Sequence, residues 1–91
     1  MAIHFDNVDD EHIYEDCISD LMEIAPYLAK GISDMFSKVE AMSDYTDACH
    51  EYDNLTFKVE GMLDGIVACR DTKLATVVRR IFKVLLWAEV E

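Results

Sequence analysis

From Tyr45 to Cys69 the apolar residues follow one another at steps of three and four: Tyr45, Ala48, Tyr52, Leu55, Val59, Met62, Ile66 and Cys69. That spacing is the 3.5-residue period of a helix presenting one continuous seam to a partner. It predicts a helix over 44–70, roughly 27 residues and about 40 Å long, with Ser43 or Asp44 as its N-cap. Gly61 and Gly65 lie off the seam, so they weaken this helix without interrupting the seam.

The same periodicity marks three further segments. Asn7 or Asp9 can cap a first helix over 8–24, whose buried stripe is Ile13 or Tyr14, Cys17, Ile18, Leu21 and Ile24, running on to Leu28. Pro26 has no amide hydrogen to donate and pushes Ala25 out of the helical region. The helix therefore either stops near Ile24, leaving Pro26 in the first turn of a second helix over 26–42, or continues with a kink. That second stripe is Leu28, Ile32, Met35 with Phe36, Val39 and Met42. A last helix over 72–89, capped by Asp71 or Thr72, places Leu74, Val77, Val78, Ile81, Phe82, Leu85 and Ala88 inward, a face wide enough to touch two neighbours. The links between these segments are too short for anything but antiparallel neighbours. The fold class is all-α, an antiparallel bundle of three or four helices in one domain spanning 1–91, the count depending on Pro26. No alternating run predicts a strand.

Composition supports a single folded core. Hydrophobic residues make up 52% of the 91-residue chain, with three Gly and one Pro, which excludes a disordered polyelectrolyte. A chain of this size buries roughly 60 to 65% of the surface that its unfolded form exposes, enough for one core. Three cysteines without a scaffold spacing fit free thiols in a reducing compartment, Cys17 and Cys69 on apolar stripes and Cys49 beside one, all three as small core residues. There is no basic start followed by an apolar run and no segment of membrane-spanning length, so a cytoplasmic protein is expected.

Charge narrows the partners. With 19 acidic and 8 basic residues the net charge is -11, the wrong sign for contacting phosphates directly or for lying on an anionic membrane. Residues 1–29 hold eight acids and no Lys or Arg, whereas the C-terminal segment carries Arg70, Lys73, Arg79, Arg80 and Lys83. Packing of the first helix against the last would neutralise part of this; what is left over attracts a basic surface.

Catalytic patterns are weak. Asp9 with His12 and Asp47 with His50 each place a carboxylate and an imidazole one helical turn apart. They resemble, faintly, the Glu-x-x-His pairs of di-iron helical bundles, in which two further Glu complete the site; metal binding by these pairs is the chemical alternative to a pure binding role. All-helical nucleotide pyrophosphohydrolases hold Mg²⁺ with Glu clusters on facing helices; Glu11, Glu15 and Asp16 form one cluster, and no second helix repeats it. Cys49 and His50 diverge by about 100° around their helix. The expected set is therefore no catalytic residues, no metal ligands and no cofactor.

Outward-facing residues carry more. Phe57 lies opposite the seam of its helix, beside Gly61, either as a docking ledge or covered by another helix or a second copy. Trp87, one turn after Lys83 and next to Leu86, either packs against the end of the bundle or serves as an interface anchor. The expected function is a small acidic non-enzymatic interaction protein: an adaptor, or an inhibitor of a basic, nucleic-acid-handling partner in the manner of phage and mobile-element DNA mimics. Asp9, Glu15, Asp16, Asp20, Glu23, Phe57, Leu86 and Trp87 are its partner-binding residues. The alternative in the same class is a chaperone or adaptor that holds a helical client through apolar faces. A homodimer is the third association that the seam admits.

Overall fold

The computed structural model describes residues 1–91 and contains four helices: α1 (Val8–Ile24), α2 (Pro26–Ala41), α3 (Tyr45–Ala68) and α4 (Thr72–Trp87). Each start has a local cause. Asn7 Oδ1 accepts the Asp10 amide at 2.8 Å, Asp44 Oδ1 accepts the Asp47 amide at 2.9 Å, and Asp71 Oδ1 accepts the Leu74 amide at 3.1 Å. Each cap satisfies an amide that the first turn leaves without an acceptor, worth about 1 kcal/mol. The α2 start uses proline instead. Pro26 occupies the first helical position, where a missing amide hydrogen costs nothing. Ala25, with extended φ of -151°, closes α1 by donating to the Leu21 carbonyl and opens α2 by accepting from the Leu28 and Ala29 amides. Pro26 therefore separates two helices, and the bundle has four.

The helices pack in cyclic order, α1 against α2 and α4, and α3 against α2 and α4, with α1 and α3 on the diagonal. Their directions alternate. The Met1 ammonium donates to the Glu40 and Met42 carbonyls at the end of α2, the Lys38 Nζ and Glu51 carboxylate pair at 3.3 Å between α2 and α3, and the Tyr52 hydroxyl donates to the Leu85 carbonyl between α3 and α4. Leu21, Ile32, Val39, Leu55, Val59, Val78, Ile81 and Leu85 fill the axis with no exposed surface. At one end Phe5, Tyr14 and Phe36 stack, with centroids 4.6 to 5.9 Å apart.

Several expectations need correction, among them Tyr45, the first residue of the α3 seam, which is 56% exposed. The last helix ends at Trp87 rather than 89, because Glu89–Val90 (β2) leaves the bundle axis to pair antiparallel with Ile3–His4 (β1), Ile3 opposite Val90. The strap is extended by reciprocal hydrogen bonds between Ala2 and Glu91 at 3.0 and 2.9 Å, and both Ile3 and Val90 are buried. Two-residue strands carry no alternation to detect. Cys69 is exposed, since it caps α3 as the chain turns away through Arg70, whose φ is 59°; Cys49 is half-buried and Cys17 alone belongs to the core. The α1 stripe loses Ile24 to solvent, where the helix overruns the core.

The glycines of α3 are not used by the fold. A Cβ on Gly61 or Gly65 would meet nothing within 4 Å, and neither has a positive φ. Gly61→Ala and Gly65→Ala should each stabilise the protein by about 0.5 to 1 kcal/mol, read as a higher urea midpoint at unchanged slope. An unchanged or lower midpoint would mean that these positions are constrained by something other than the monomer's own packing.

Candidate functional site

The acidic helix and the basic helix are neighbours. α1 and α4 run antiparallel, and between them lies a groove of about 230 Å³ lined by Asp10, Ile13, Arg80, Lys83, Val84 and Trp87. Ile13 and Val84 give it an apolar floor, and the Trp87 ring stands at one end with 65% of its surface exposed.

On either side of this groove a charged stripe rises. At 100° per residue, Asp9, Asp16, Asp20 and Glu23 fall within an arc of about 60° on the α4-facing flank of α1, and all four are exposed. Lys73, Arg80, Lys83 and Trp87 fall within an arc of about 80° on α4, and all four are exposed. Both stripes act on the same buried group, Cys17. Burial pushes the Cys17 thiol up from its ordinary value, Arg80 opposes that shift, and Asp20 and Asp16 reinforce it. They do not form contacts: the ion pairs of the protein are His4 with Glu91 at 3.5 Å and Lys38 with Glu51 at 3.3 Å, so neither stripe has an ion-pair partner.

The residues singled out from the sequence divide among several places. Asp9, Asp16, Asp20 and Glu23 share one line. Glu15 lies on the opposite flank of α1, with Glu11, because it follows Glu11 by four residues and precedes Asp16 by one. Trp87 joins the α1–α4 groove. Leu86, 56% exposed, sits about 100° around α4 on the side of α3. Phe57 is 73% exposed on the outer face of α3, the helix diagonal to α1. The half-buried Asp10 and the apolar pair Ile13 and Val84 complete the groove without having been named as site residues; the sequence offers Ile13 only as a candidate for the buried stripe of α1 and carries no sign of a groove beside it.

A second recess lies at the opposite end of the bundle from the β strap. Leu28, Gly61, Met62, Gly65, Ile66, Cys69, Asp71 and Leu74 line about 400 Å³ of mostly apolar space, and Tyr27 and Ile24 are exposed at the nearby α1–α2 corner. Leu28 and Leu74 read as ordinary stripe members in sequence; only the packing of three helices leaves their side chains around an opening.

The two Asp-x-x-His pairs are apart. Asp9 and His12 on α1, and Asp47 and His50 on α3, are all exposed on diagonal helices, and no three His, Cys, Asp or Glu side chains converge on a point where an ion could sit. No helix is long and apolar enough to cross a membrane. Comparison with protein-family models, with curated proteins and with solved structures finds no match for this chain.

Proposed function

We propose that this is a small non-enzymatic interaction protein of the cytoplasm whose acidic α1 stripe receives a basic surface on another protein. It serves as an adaptor, or as an inhibitor that occupies a phosphate-binding groove in the manner of a DNA mimic. The observation that carries the reading is the alignment of Asp9, Asp16, Asp20 and Glu23 along one exposed flank with no ion-pair partner. Ordered, unpaired carboxylates speed and orient the approach of a cationic partner while repelling nucleic acid and anionic membrane.

The test compares the protein with a variant carrying Asp9→Asn, Asp16→Asn, Asp20→Asn and Glu23→Gln. A partner captured from native lysate at low salt should be lost at high salt and should not bind the neutralised variant, because exposed charges separated by more than about 10 Å are screened at 0.1 M salt. Retention by the neutralised variant at high salt would sink the reading. It would also favour the second one, a chaperone or adaptor holding a helical client on an apolar surface, for which the recess around Leu28, Met62, Ile66 and Leu74 and the exposed Phe57 and Leu86 are the supporting observations. Metal binding by the Asp-x-x-His pairs has no convergent ligand set behind it, and isothermal titration with Zn(II) should show only weak, non-stoichiometric heat.

A further inference from the structure

We propose that the α1–α4 face is a homodimer interface, in which the basic stripe and Trp87 of α4 in each copy lie against the acidic stripe of α1 in the other, about a two-fold axis parallel to the bundle. The charge pattern argues for this occupant. A two-fold axis running along the helices sets α1 of one copy opposite α4 of the other, and the reverse, so one interface makes the same complementary contact twice. An axis across the helices would instead set α1 on α1, acid against acid.

The levels along the bundle agree as well. Because α1 and α4 are antiparallel and Ile13 shares a groove with Lys83, a rise of 1.5 Å per residue brings Asp16 to the level of Arg80, Glu23 to that of Lys73, and Asp9 to that of Trp87. Within one copy these groups point outward on either side of the groove and remain unpaired. In the dimer Asp16 meets Arg80 of the second copy and Glu23 meets its Lys73, while Trp87, level with Asp9, stands at the mouth of the second copy's groove. An exposed indole at the end of an apolar-floored groove, framed by charge, is the composition of an interface centre with a polar rim.

The basic stripe also stands out against the rest of the molecule. α4 carries Lys73, Arg79, Arg80 and Lys83 and no acid within its length, in a protein of net charge -11. A helix so distinct from its surroundings and so close to a matching acidic one gives this face its own complement. The inference does not depend on the basic partner proposed above; such a partner would compete with the second copy for α1.

Sedimentation of the wild-type protein at low ionic strength over a range of concentrations decides the matter. A monomer–dimer equilibrium that shifts to monomer as salt rises is expected; a monomer throughout overturns the proposal, whatever the fate of the basic partner. Two charge-reversed variants then test the geometry: Asp16→Lys with Asp20→Lys and Glu23→Lys on α1, and Lys73→Glu with Arg80→Glu and Lys83→Glu on α4. Each alone should weaken self-association on the order of 100-fold, since like charges then face each other twice. An equimolar mixture should form a 1:1 heterodimer in native mass spectrometry, because the reversed α1 then faces the oppositely reversed α4 and the two unreversed helices face each other, so that both contacts are complementary again. Two folded variants, judged by helical circular dichroism, that fail to combine overturn the two-fold arrangement. If a reversed variant does not fold, Trp87→Ala substitutes for it: weaker wild-type-like dimerisation supports the interface, and an unchanged dimer constant places the dimer elsewhere.

Discussion

Replacing Leu55 with Ala should destabilise the protein by about 2 to 5 kcal/mol. Leu55 has no exposed surface and belongs to the cluster in which α3 meets both α2 and α4. Truncation opens a cavity inside that cluster, and a bundle held by three short connections has little freedom to collapse into the gap. For a domain of this size the whole folding free energy is on the order of 5 to 15 kcal/mol, so the melting temperature should fall by roughly 10 to 30 °C. Phe57→Ala supplies the contrast. It lies two residues further along the same helix and removes more atoms, yet its ring is 73% exposed, and the change should stay within about 0.5 kcal/mol. Urea titrations of the two variants check both expectations; equal losses would mean that the outer face of α3 is covered in solution.

The contrast between Leu55 and Phe57 was readable in the sequence, because a seam sustained over seven turns assigns each residue of α3 to one face. The caps were readable for a similar reason: Asn7, Asp44 and Asp71 each stand before a periodic run and act on an amide three residues away, so cause and effect are local. Pro26 was legible only as two alternatives. Whether a proline kinks one helix or starts another depends on what the following turns pack against, and α2, with Ile32 and Val39 buried, packs against α3 as well as α1. What lies far apart in the chain was not legible. The Ile3–Val90 pairing joins residues at the two ends, and neither strand is long enough to show a period of two. Cys69 shows the limit of a seam, which continues in sequence for one more step after the helix it describes has left the core.

The candidate site has the same division. Which acids share a line follows from helical spacing alone, so Asp9, Asp16, Asp20 and Glu23 were available from the sequence, and Glu15 should have been set apart by the same arithmetic. Which bases they stand beside does not follow, because the level of α4 relative to α1 is fixed by core packing between Cys17, Leu21, Val78 and Ile81 and not by the charges. The charges then inherit that register: they align with one another in height and project outward.

Above pH 10 the protein should lose stability steeply, and the slope should come from two buried phenols. Burial pushes the Tyr14 hydroxyl well above the ordinary value of 10.0, with Glu40 adding to the shift, and burial does the same to Tyr52. In the folded state both stay protonated as pH passes 10, whereas the unfolded chain releases those protons. The unfolded state then binds fewer protons than the native state, so unfolding becomes easier as pH rises, by about 1.4 kcal/mol per pH unit for each phenol. Near pH 11 the two together should remove roughly 3 kcal/mol, and the loss should level off only where the folded phenols themselves ionise. Tyr52→Phe separates this from general charge repulsion. At neutral pH it deletes the hydroxyl that donates to the Leu85 carbonyl and should cost about 0.5 to 1.5 kcal/mol. That carbonyl keeps the Ala88 amide as a second donor at 3.3 Å, which holds the cost to this range. The variant no longer has a proton for the unfolded chain to release at that position, so its stability should fall with about half the slope that the phenols impose on the wild type. The two curves of unfolding free energy against pH, measured by urea titration, should therefore converge and cross between about pH 10 and pH 11; parallel curves would show that Tyr52 ionises as readily in the folded protein as in the unfolded chain.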